Sequence, residues 1–438
     1  MQILRETGYS CPKSWRLIFE SPWANGLFSD FVREGGMTTC SYAIAYICAM
    51  LKLPIKRYLS PLTLFAAILY VCGSLFIAVI RPQANGDLPF YVASYYAATG
   101  NDEVQTYAKT YAALRAETDS LSYHGLRYGN SYLASLDAVG LDQQLPFYQI
   151  KPLYLGAIQA VASLGLSPIR AIRVVSLVFA LSLTLILFGF CLKQLGSIYG
   201  SLAAVFIFQL VGIDSLASIA TPDAMAATLF VGGLLLFLRG NLLTSVLTLI
   251  AALLCRGDMI LILLPLPFIL MLRFKEYKRE IAALGITIAT GIGLQLFIQN
   301  AVGYYGWKIH FYHSFLEYLT YPATAQVGFT LPQYIYYLLS GLWIAPGDNT
   351  VAAVGLIWLL LAGLGLRLPK MLTNLEKSLI AGLLAGTLIR YLSYPSPQLR
   401  LYVPQYIILF LLAMTVWSRY RSRSFDEDPI AIHKEQLI

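Results

Sequence analysis

Long apolar stretches separated by short polar segments dominate the chain. Many of them approach about 20 residues, the length that a helix needs to cross a hydrocarbon core of about 30 Å. A helix also satisfies all its backbone hydrogen bonds within one segment, as lipid requires. The pattern predicts an all-α polytopic membrane protein with about ten transmembrane helices, in a range of about 10–12.

Basic residues set the direction of the predicted spans. Lys56 and Arg57 precede the first span and Arg419 and Arg421 follow the last, so the positive-inside rule places both ends in the cytoplasm. An even number of spans is then required. The predicted spans are residues 61–80, 152–166, 174–192, 197–212, 224–238, 241–272, 281–298, 351–366, 379–392 and 401–417, with residues 331–345 as a re-entrant or interfacial segment.

The spans divide the chain into an extension, a membrane domain and a tail. These are residues 1–60 (N-terminal extension), 61–418 (transmembrane domain) and 419–438 (cytoplasmic tail), with residues 81–151 as the first external loop and 299–350 as the second external segment. The extension is either interfacial or the product of a mis-called start, because Met50 directly precedes a basic segment and the first span. In the first external loop, Tyr91, Tyr95 and Tyr111 recur at helical spacing, which predicts interfacial amphipathic helices.

Composition strengthens the membrane assignment. Of 438 residues, 58% are hydrophobic and 12% are charged, whereas soluble domains carry about 25% charged residues. The net charge of +8 is not concentrated in a basic patch with interleaved aromatic residues, so nucleic acid is not an expected partner. The predicted location is the bacterial inner membrane, with membrane lipids as neighbours.

Three charged residues stand where predicted spans meet the external side. Asp87 follows the first span, Lys151 ends the first external loop, and Arg400 precedes the last span. A carboxylate can accept a proton, and Lys or Arg can hold a phosphate. The pattern therefore indicates chemistry on a lipid-linked phosphate substrate.

The stretch from Asp87 through Tyr91 to Lys151-Pro152-Leu153 resembles the opening of the GT-C superfamily of polytopic glycosyltransferases. There, an acid at the start of the first external loop acts at the catalytic centre, which implies a catalytic role for Asp87. Lys151 matches the lysine of a Lys-Pro-Pro-Leu pattern associated with the donor phosphate, although Leu153 replaces the second proline. The resemblance covers roughly residues 62–192 and extends further only by hydropathy.

Two later elements are similar to the same superfamily. Arg400 and Tyr402 resemble an Arg-Tyr element of mannosyl- and aminoarabinosyltransferases, although Leu401 separates them. The resemblance implies that Arg400 binds the donor phosphate. Asp223, which opens a predicted span, resembles a Ser-Asp or Pro-Asp element, and a helix cap is its alternative role.

Arg256 and Asp258 interrupt the apolar run of residues 241–272. Ionisable residues inside such a run are costly and usually face a cavity or one another. The run is either one tilted, broken helix or two half-helices, in which case the pair lies at a membrane boundary. Together with Tyr91, Tyr402 and Asp223, the two residues are candidates for substrate binding.

His310, His313 and Glu317 are spaced i, i+3 and i+7 in the second external segment. On one helical face they form a weak candidate for a divalent metal site, with an aromatic interface belt as the alternative. No cofactor is firmly expected, and metal dependence stays open.

The expected activity is transfer of a sugar from a polyprenyl-phosphate donor to a lipid, glycan or protein acceptor on the extracytoplasmic face. One alternative is an O-antigen-type polymerase or ligase that uses undecaprenyl-diphosphate glycans. Another is a flippase or transporter of lipid-linked sugars, which predicts two related halves that the sequence does not display.

Overall fold

The structure is a computed structural model that describes residues 59–83, 85–126, 134–344, 371–396 and 398–426. Within these ranges the secondary structure is helical, and β pairing is limited to an isolated bridge between Gln83 and Ile219. The predicted all-α class is therefore confirmed for this part of the chain. The predicted span at residues 351–366, almost all of the N-terminal extension and the end of the tail lie outside the described residues.

The helices of the first half of the described chain include those of the first external loop, residues 81–151. In chain order they are α1 (Leu59–Ile80), α2 (Leu88–Ala98), α3 (Glu103–Glu117), α4 (Ser120–Gly125), α5 (Ala138–Gln144), α6 (Pro146–Gln149), α7 (Pro152–Ala162), α8 (Pro168–Leu210) and α9 (Ile213–Ser218).

The second half contains the most buried helix and the last long one. Its elements are α10 (Asp223–Leu238), α11 (Leu242–Cys255), α12 (Met259–Leu263), α13 (Pro265–Met271), α14 (Lys278–Ala301), α15 (Trp307–Phe311), a π-helical turn (Tyr312–Leu316), α16 (Leu331–Ile344), α17 (Asn374–Ser393), a 3-10 turn (Leu399–Leu401) and α18 (Val403–Asp426).

Three of the described helices, α1, α8 and α14, are long and apolar enough to cross a membrane. α1 and α14 leave large apolar side chains exposed, including Leu62, Phe76 and Phe297, as lipid-facing helices do. Four further apolar stretches, α7, α10, α11 and α12 with α13, are shorter. The count of about ten spans is thus not confirmed, because only these three described helices combine the length and the apolar composition of a full crossing.

Two predicted spans, residues 174–192 and 197–212, both fall in α8. At Gly196 the backbone has φ 76° and ψ 179°, which breaks the helix into two arms. This φ lies in the region that only glycine enters at little cost. A Cβ atom at Gly200 would lie 2.7 Å from the Cα of Leu192, so the two arms touch just after the break.

The first external loop contains helices, as predicted, and its short acids begin them. Asp102, Asp119 and Asp137 each accept a hydrogen bond from a backbone N–H three residues on, at 2.7, 2.9 and 2.5 Å. These N-caps satisfy donors that the first helical turn leaves free. Tyr91 and Leu114 are buried. The side chains around them in α2 and α3 therefore pack against other parts of the protein, whereas the sequence predicted that they lie along the membrane surface.

The helix α10 is the centre of the described bundle. It packs against α8, α11 and α18, and most of its side chains are buried. Its apolar composition on every face is typical of a helix inside a bundle. Its first residue, Asp223, is therefore placed deep among the other helices.

Close backbone contact joins α17 to α12. A Cβ atom at Gly386 would lie 2.6 Å from the Cα of Ile262, so only glycine fits there. One helical turn beyond Gly386, Arg390 reaches the segment that precedes α12. The small residue thus sets the distance at which a buried arginine meets its partners.

We expect Gly386→Ala to destabilise the fold by about 1–3 kcal/mol, because an inserted methyl group forces the two backbones apart. The measurement is the unfolding midpoint of purified protein in detergent. The control is Gly285→Ala in α14, where no atom lies within 4 Å of the new Cβ; there the helix should gain about 0.5–1 kcal/mol. Equal effects at both positions would contradict the close packing of α12 and α17.

Candidate functional site

Asp223 opens α10 just after Thr221 and Pro222. Its carboxylate accepts a hydrogen bond from the Thr221 hydroxyl at 2.8 Å and a close one from Arg256. A second guanidinium, that of Arg400, lies 3.6 Å away. The Asp223 side chain is 4% exposed, and a carboxylate this buried needs such partners. Asp223 therefore links two arginines that are far apart in sequence.

The break between α11 and α12 places two charges beside Asp223. The helix α11 ends at Cys255, Arg256 has extended backbone and α12 begins at Met259, so the apolar run is broken at residues 256–258. Arg256 binds Asp258 through two nitrogens, with Nε at 3.2 Å and Nη2 at 2.8 Å. The two residues face each other, and Arg256 also faces Asp223.

Arg390, like Tyr148, is a residue of the cluster that the sequence did not indicate. It donates to Asp258 from Nε at 2.9 Å and again from Nη2, and its Nη1 contacts the carbonyl of Leu401. Its guanidinium lies 5.1 Å from the centre of the Tyr402 ring. Only 2% of this side chain is exposed. Its position inside an apolar run, the property that singled out Arg256 and Asp258, was the available signal.

Asp87 immediately precedes α2 and does not cap it with its side chain. Its carboxylate instead accepts from Arg400 at 3.2 Å, from the Tyr148 hydroxyl at 3.3 Å and from the Asn85 amide at 3.2 Å. The side chains of Asp87 and Arg400 are 27% and 25% exposed. The Asp258 side chain is also partly exposed, at 35%, so an incoming molecule can reach all three residues.

Lys151 stands at the start of α7, between two tyrosines. Its Nζ donates to the Tyr91 hydroxyl at 2.7 Å and lies 5.1 and 5.0 Å from the ring centres of Tyr91 and Tyr148. None of the ion pairs within the described ranges includes Lys151. Burial lowers its pKa to about 8, although the Asp87 carboxylate acts in the opposite direction.

The cluster carries one more cation than carboxylates among the residues that the structure describes. Each carboxylate contacts at least one guanidinium, and Lys151 is the cation left without an acidic partner. A cluster of this composition favours an anion, and Lys and Arg are suited to binding phosphate. The structure brings together Asp87, Tyr91, Lys151, Asp223, Arg256, Asp258, Arg400 and Tyr402, and adds Tyr148 and Arg390.

The candidate metal ligands do not share one helical face. The backbone changes from α to π geometry at Tyr312 and is extended at Glu317, so the predicted i, i+3, i+7 arrangement is wrong. His313 accepts from the backbone N–H of Leu319 at 3.1 Å, and Glu317 accepts from the Tyr312 hydroxyl at 3.0 Å. Among the described residues, no three His, Cys, Asp or Glu side chains form a metal-binding group.

An aromatic wall, formed by Phe147, His310 and His313, occupies the position of the predicted metal site. The Phe147 ring stacks on His313 with centres 5.0 Å apart and meets His310 edge-on at 5.2 Å. Burial lowers the pKa of His310 to about 4 and that of His313 to about 3, so both are neutral at pH 7. Phe147 neighbours Tyr148 in α6, and this wall therefore joins the second external segment to the charged cluster.

No protein-family model, curated protein or solved structure matches the chain.

We expect Arg390→Met to cost about 1–3 kcal/mol, because the carbonyl of Leu401 loses a buried donor while the partly exposed Asp258 keeps Arg256 as a partner. The control is Arg273→Met, since Arg273 pairs with Glu276 at the surface, where both side chains are about half exposed and the pair contributes under about 1 kcal/mol. Denaturant unfolding in detergent measures both. A loss at Arg390 no larger than at Arg273 would show that Asp258 does not depend on this partner.

Proposed function

We propose that this protein is a glycosyltransferase that moves a sugar from a polyprenyl-phosphate donor to an acceptor on the extracytoplasmic face of a bacterial inner membrane. The proposal includes about ten membrane spans with the Asp87 cluster on the external side. One observation carries the proposal. The three residues to which the sequence assigns the base and the phosphate ligands lie in one cluster, although they are far apart in the chain; they are Asp87, Lys151 and Arg400.

The location of the cluster suits a lipid-borne phosphate. Lys151 directly precedes the apolar helix α7, and Asp223 opens the apolar helix α10. A polyprenyl chain in the bilayer can therefore run along apolar helices while its phosphate reaches Lys151 and Arg400. The sequence contains no nucleotide-binding fingerprint, and a lipid-linked donor needs none.

In the proposed reaction, an acceptor hydroxyl attacks the anomeric carbon of the donor sugar. A new C–O bond forms to the acceptor while the bond from the anomeric carbon to the phosphate oxygen breaks. Asp87 takes the hydroxyl proton, and the leaving phosphate keeps the bonding electron pair. Lys151 and Arg400 stabilise the charge that develops on this phosphate, and fixed cations act most strongly where water is excluded.

The contact between Arg400 and Asp87 must change during this reaction. While Arg400 donates to Asp87 at 3.2 Å, it occupies one of the carboxylate oxygens that the acceptor hydroxyl needs. When a donor phosphate binds Arg400, that guanidinium turns from Asp87 to the phosphate, and Asp87 becomes available to the acceptor. Donor binding thus precedes activation of the base.

The remaining charged residues hold this arrangement. Asp223 orients Arg400 at 3.6 Å, and Arg256 pairs with both Asp223 and Asp258. Tyr91 orients the Lys151 ammonium through its hydroxyl, and Tyr402 covers the Arg390 guanidinium. These residues support the two phosphate ligands and need not touch the substrate.

We expect Asp87→Asn to lower sugar transfer by about 10²–10⁴-fold, because the amide cannot accept the proton. The assay is mass spectrometry of product formed by purified protein from a panel of polyprenyl-monophosphate sugars. The control, Asp119→Asn, should retain activity, since Asn caps a helix as well as Asp does. Full activity in Asp87→Asn excludes Asp87 as the base, and turnover only with diphosphate-linked glycans would indicate a polymerase or ligase.

We expect the affinity for a polyprenyl phosphate to fall as pH rises through about 8. Lys151 is charged below its pKa of about 8 and neutral above it, so the attraction for phosphate is lost on the alkaline side. Lys151→Arg should remove this pH dependence, because guanidinium stays charged above pH 12. Titration of a fluorescent polyprenyl phosphate from pH 6 to 10 measures both proteins. An unchanged pH dependence in Lys151→Arg would mean that another group titrates.

A further inference from the structure

A groove lies between the π-helical turn Tyr312–Leu316 and the start of α16, apart from the charged cluster. Its volume is about 450 Å³, within the range of pockets that hold small ligands. It is lined by Tyr312, Leu316, Glu317, Pro332, Gln333, Tyr336 and Tyr337. π-Helical turns are rare and often occur at functional sites.

We propose that this groove binds a neutral oligosaccharide, and that this glycan is the acceptor of the transfer reaction. Three tyrosine rings offer flat faces to the C–H groups of sugar rings, and their hydroxyls offer hydrogen bonds. Glu317 and Gln333 add a carboxylate and a carboxamide that bind sugar hydroxyls. Only the identification of the glycan as the acceptor depends on the proposed function.

The lining disfavours other occupants. Of the groove residues, only Leu316 and Pro332 lack a polar side-chain atom, so a ligand with hydroxyl groups finds hydrogen-bonding partners here that a polyprenyl or acyl chain cannot use. An extended peptide needs free backbone donors and acceptors, whereas the backbone of the groove walls is largely consumed within α16 and the π-helical turn. Glu317 is the one charged lining residue, and it repels acidic glycans.

The walls of the groove are held in place. The Gln333 side chain accepts from the Thr330 backbone at 2.8 Å, and Tyr312 donates to Glu317 at 3.0 Å. The Tyr391 hydroxyl donates to the carbonyl of Leu338 at 2.6 Å, which fastens α16 to α17. A groove with fixed walls loses little entropy when it binds a ligand.

One aromatic layer separates the groove from the charged cluster. The Tyr337 ring lies 6.3 Å from Phe315, and Phe315 lies 4.7 Å from Tyr394. Burial and the nearby Asp87 carboxylate both raise the pKa of Tyr394. Phe315 and Tyr394 therefore connect the groove to the charged cluster.

The test is direct binding to the full-length protein in lipid nanodiscs. The probes are linear gluco-, manno- and xylo-oligosaccharides on an array, followed by calorimetric titration of the best binder. We expect Tyr336→Ala to weaken that binding about 3- to 10-fold, because a stacking face is lost. Tyr336→Phe keeps the ring and should bind nearly as wild type does. Leu339→Ala, an exposed position of α16 outside the groove, is the matched control and should have no effect.

The outcomes separate the groove from the proposed reaction. Binding that depends on Tyr336, together with a raised acceptor KM and an unchanged donor KM in Tyr336→Ala, supports the whole inference. Tyr336-dependent binding without transfer from any donor overturns the proposed function and the acceptor role, but leaves a glycan site. No binding of any probe, or equal losses of binding in Tyr336→Ala and Leu339→Ala, overturns the groove proposal.

Discussion

The pairing of charges inside an apolar helical bundle is the constraint on which the rest of this structure depends. Arg390 is almost completely buried, and it contacts Asp258, the carbonyl of Leu401 and the ring of Tyr402. From Asp258 the contacts continue through Arg256 to Asp223. A buried charge without its partner costs several kcal/mol, so each of these side chains fixes its neighbours. Helices from four parts of the chain therefore keep one relative arrangement.

This network ends where the site becomes accessible. Asp223 lies 3.6 Å from Arg400, and Arg400 lies 3.2 Å from the half-buried Asp87. Residues deeper in the bundle hold the guanidinium of Arg400 in place, and the accessible residues are left to meet a ligand. The same division holds for Lys151, whose ammonium is oriented by Tyr91 and Tyr148 and is not neutralised by an acid. Side chains that bind a ligand need supporting residues that hold them in one geometry.

Glycine and helix breaks make this arrangement sterically possible. Gly386 lets α17 approach the backbone of α12, and Gly196 separates the two arms of α8. The break at residues 256–258 ends one helix and starts another, and it places Arg256 and Asp258 within reach of Asp223 and Arg390. The two helix breaks interrupt regular helical hydrogen bonding, and Gly386 allows a close helix contact. Together they permit the packing that brings the polar groups into contact.

Local features could be read from the sequence because they depend on neighbouring residues. Hydropathy located α1 and most later helices, short acids marked helix starts in the first external loop, and ionisable residues in an apolar run identified Arg256 and Asp258. The number of spans could not be predicted as well from hydropathy, since apolar helices such as α7 and α11 are too short for a full crossing. The prediction that His310 and Glu317 share one helical face was wrong, because the π-helical turn between them changes the helical register.

By itself, then, the sequence determined which segments are apolar helices and which residue types carry charge between them. Only the tertiary structure decided which charges meet. Arg390 reaches Asp258 across 132 positions and Arg400 reaches Asp87 across 313, and no local pattern encodes such distances. The physical reason is that helix formation follows local composition, whereas the pairing of buried charges follows from how whole helices pack against one another.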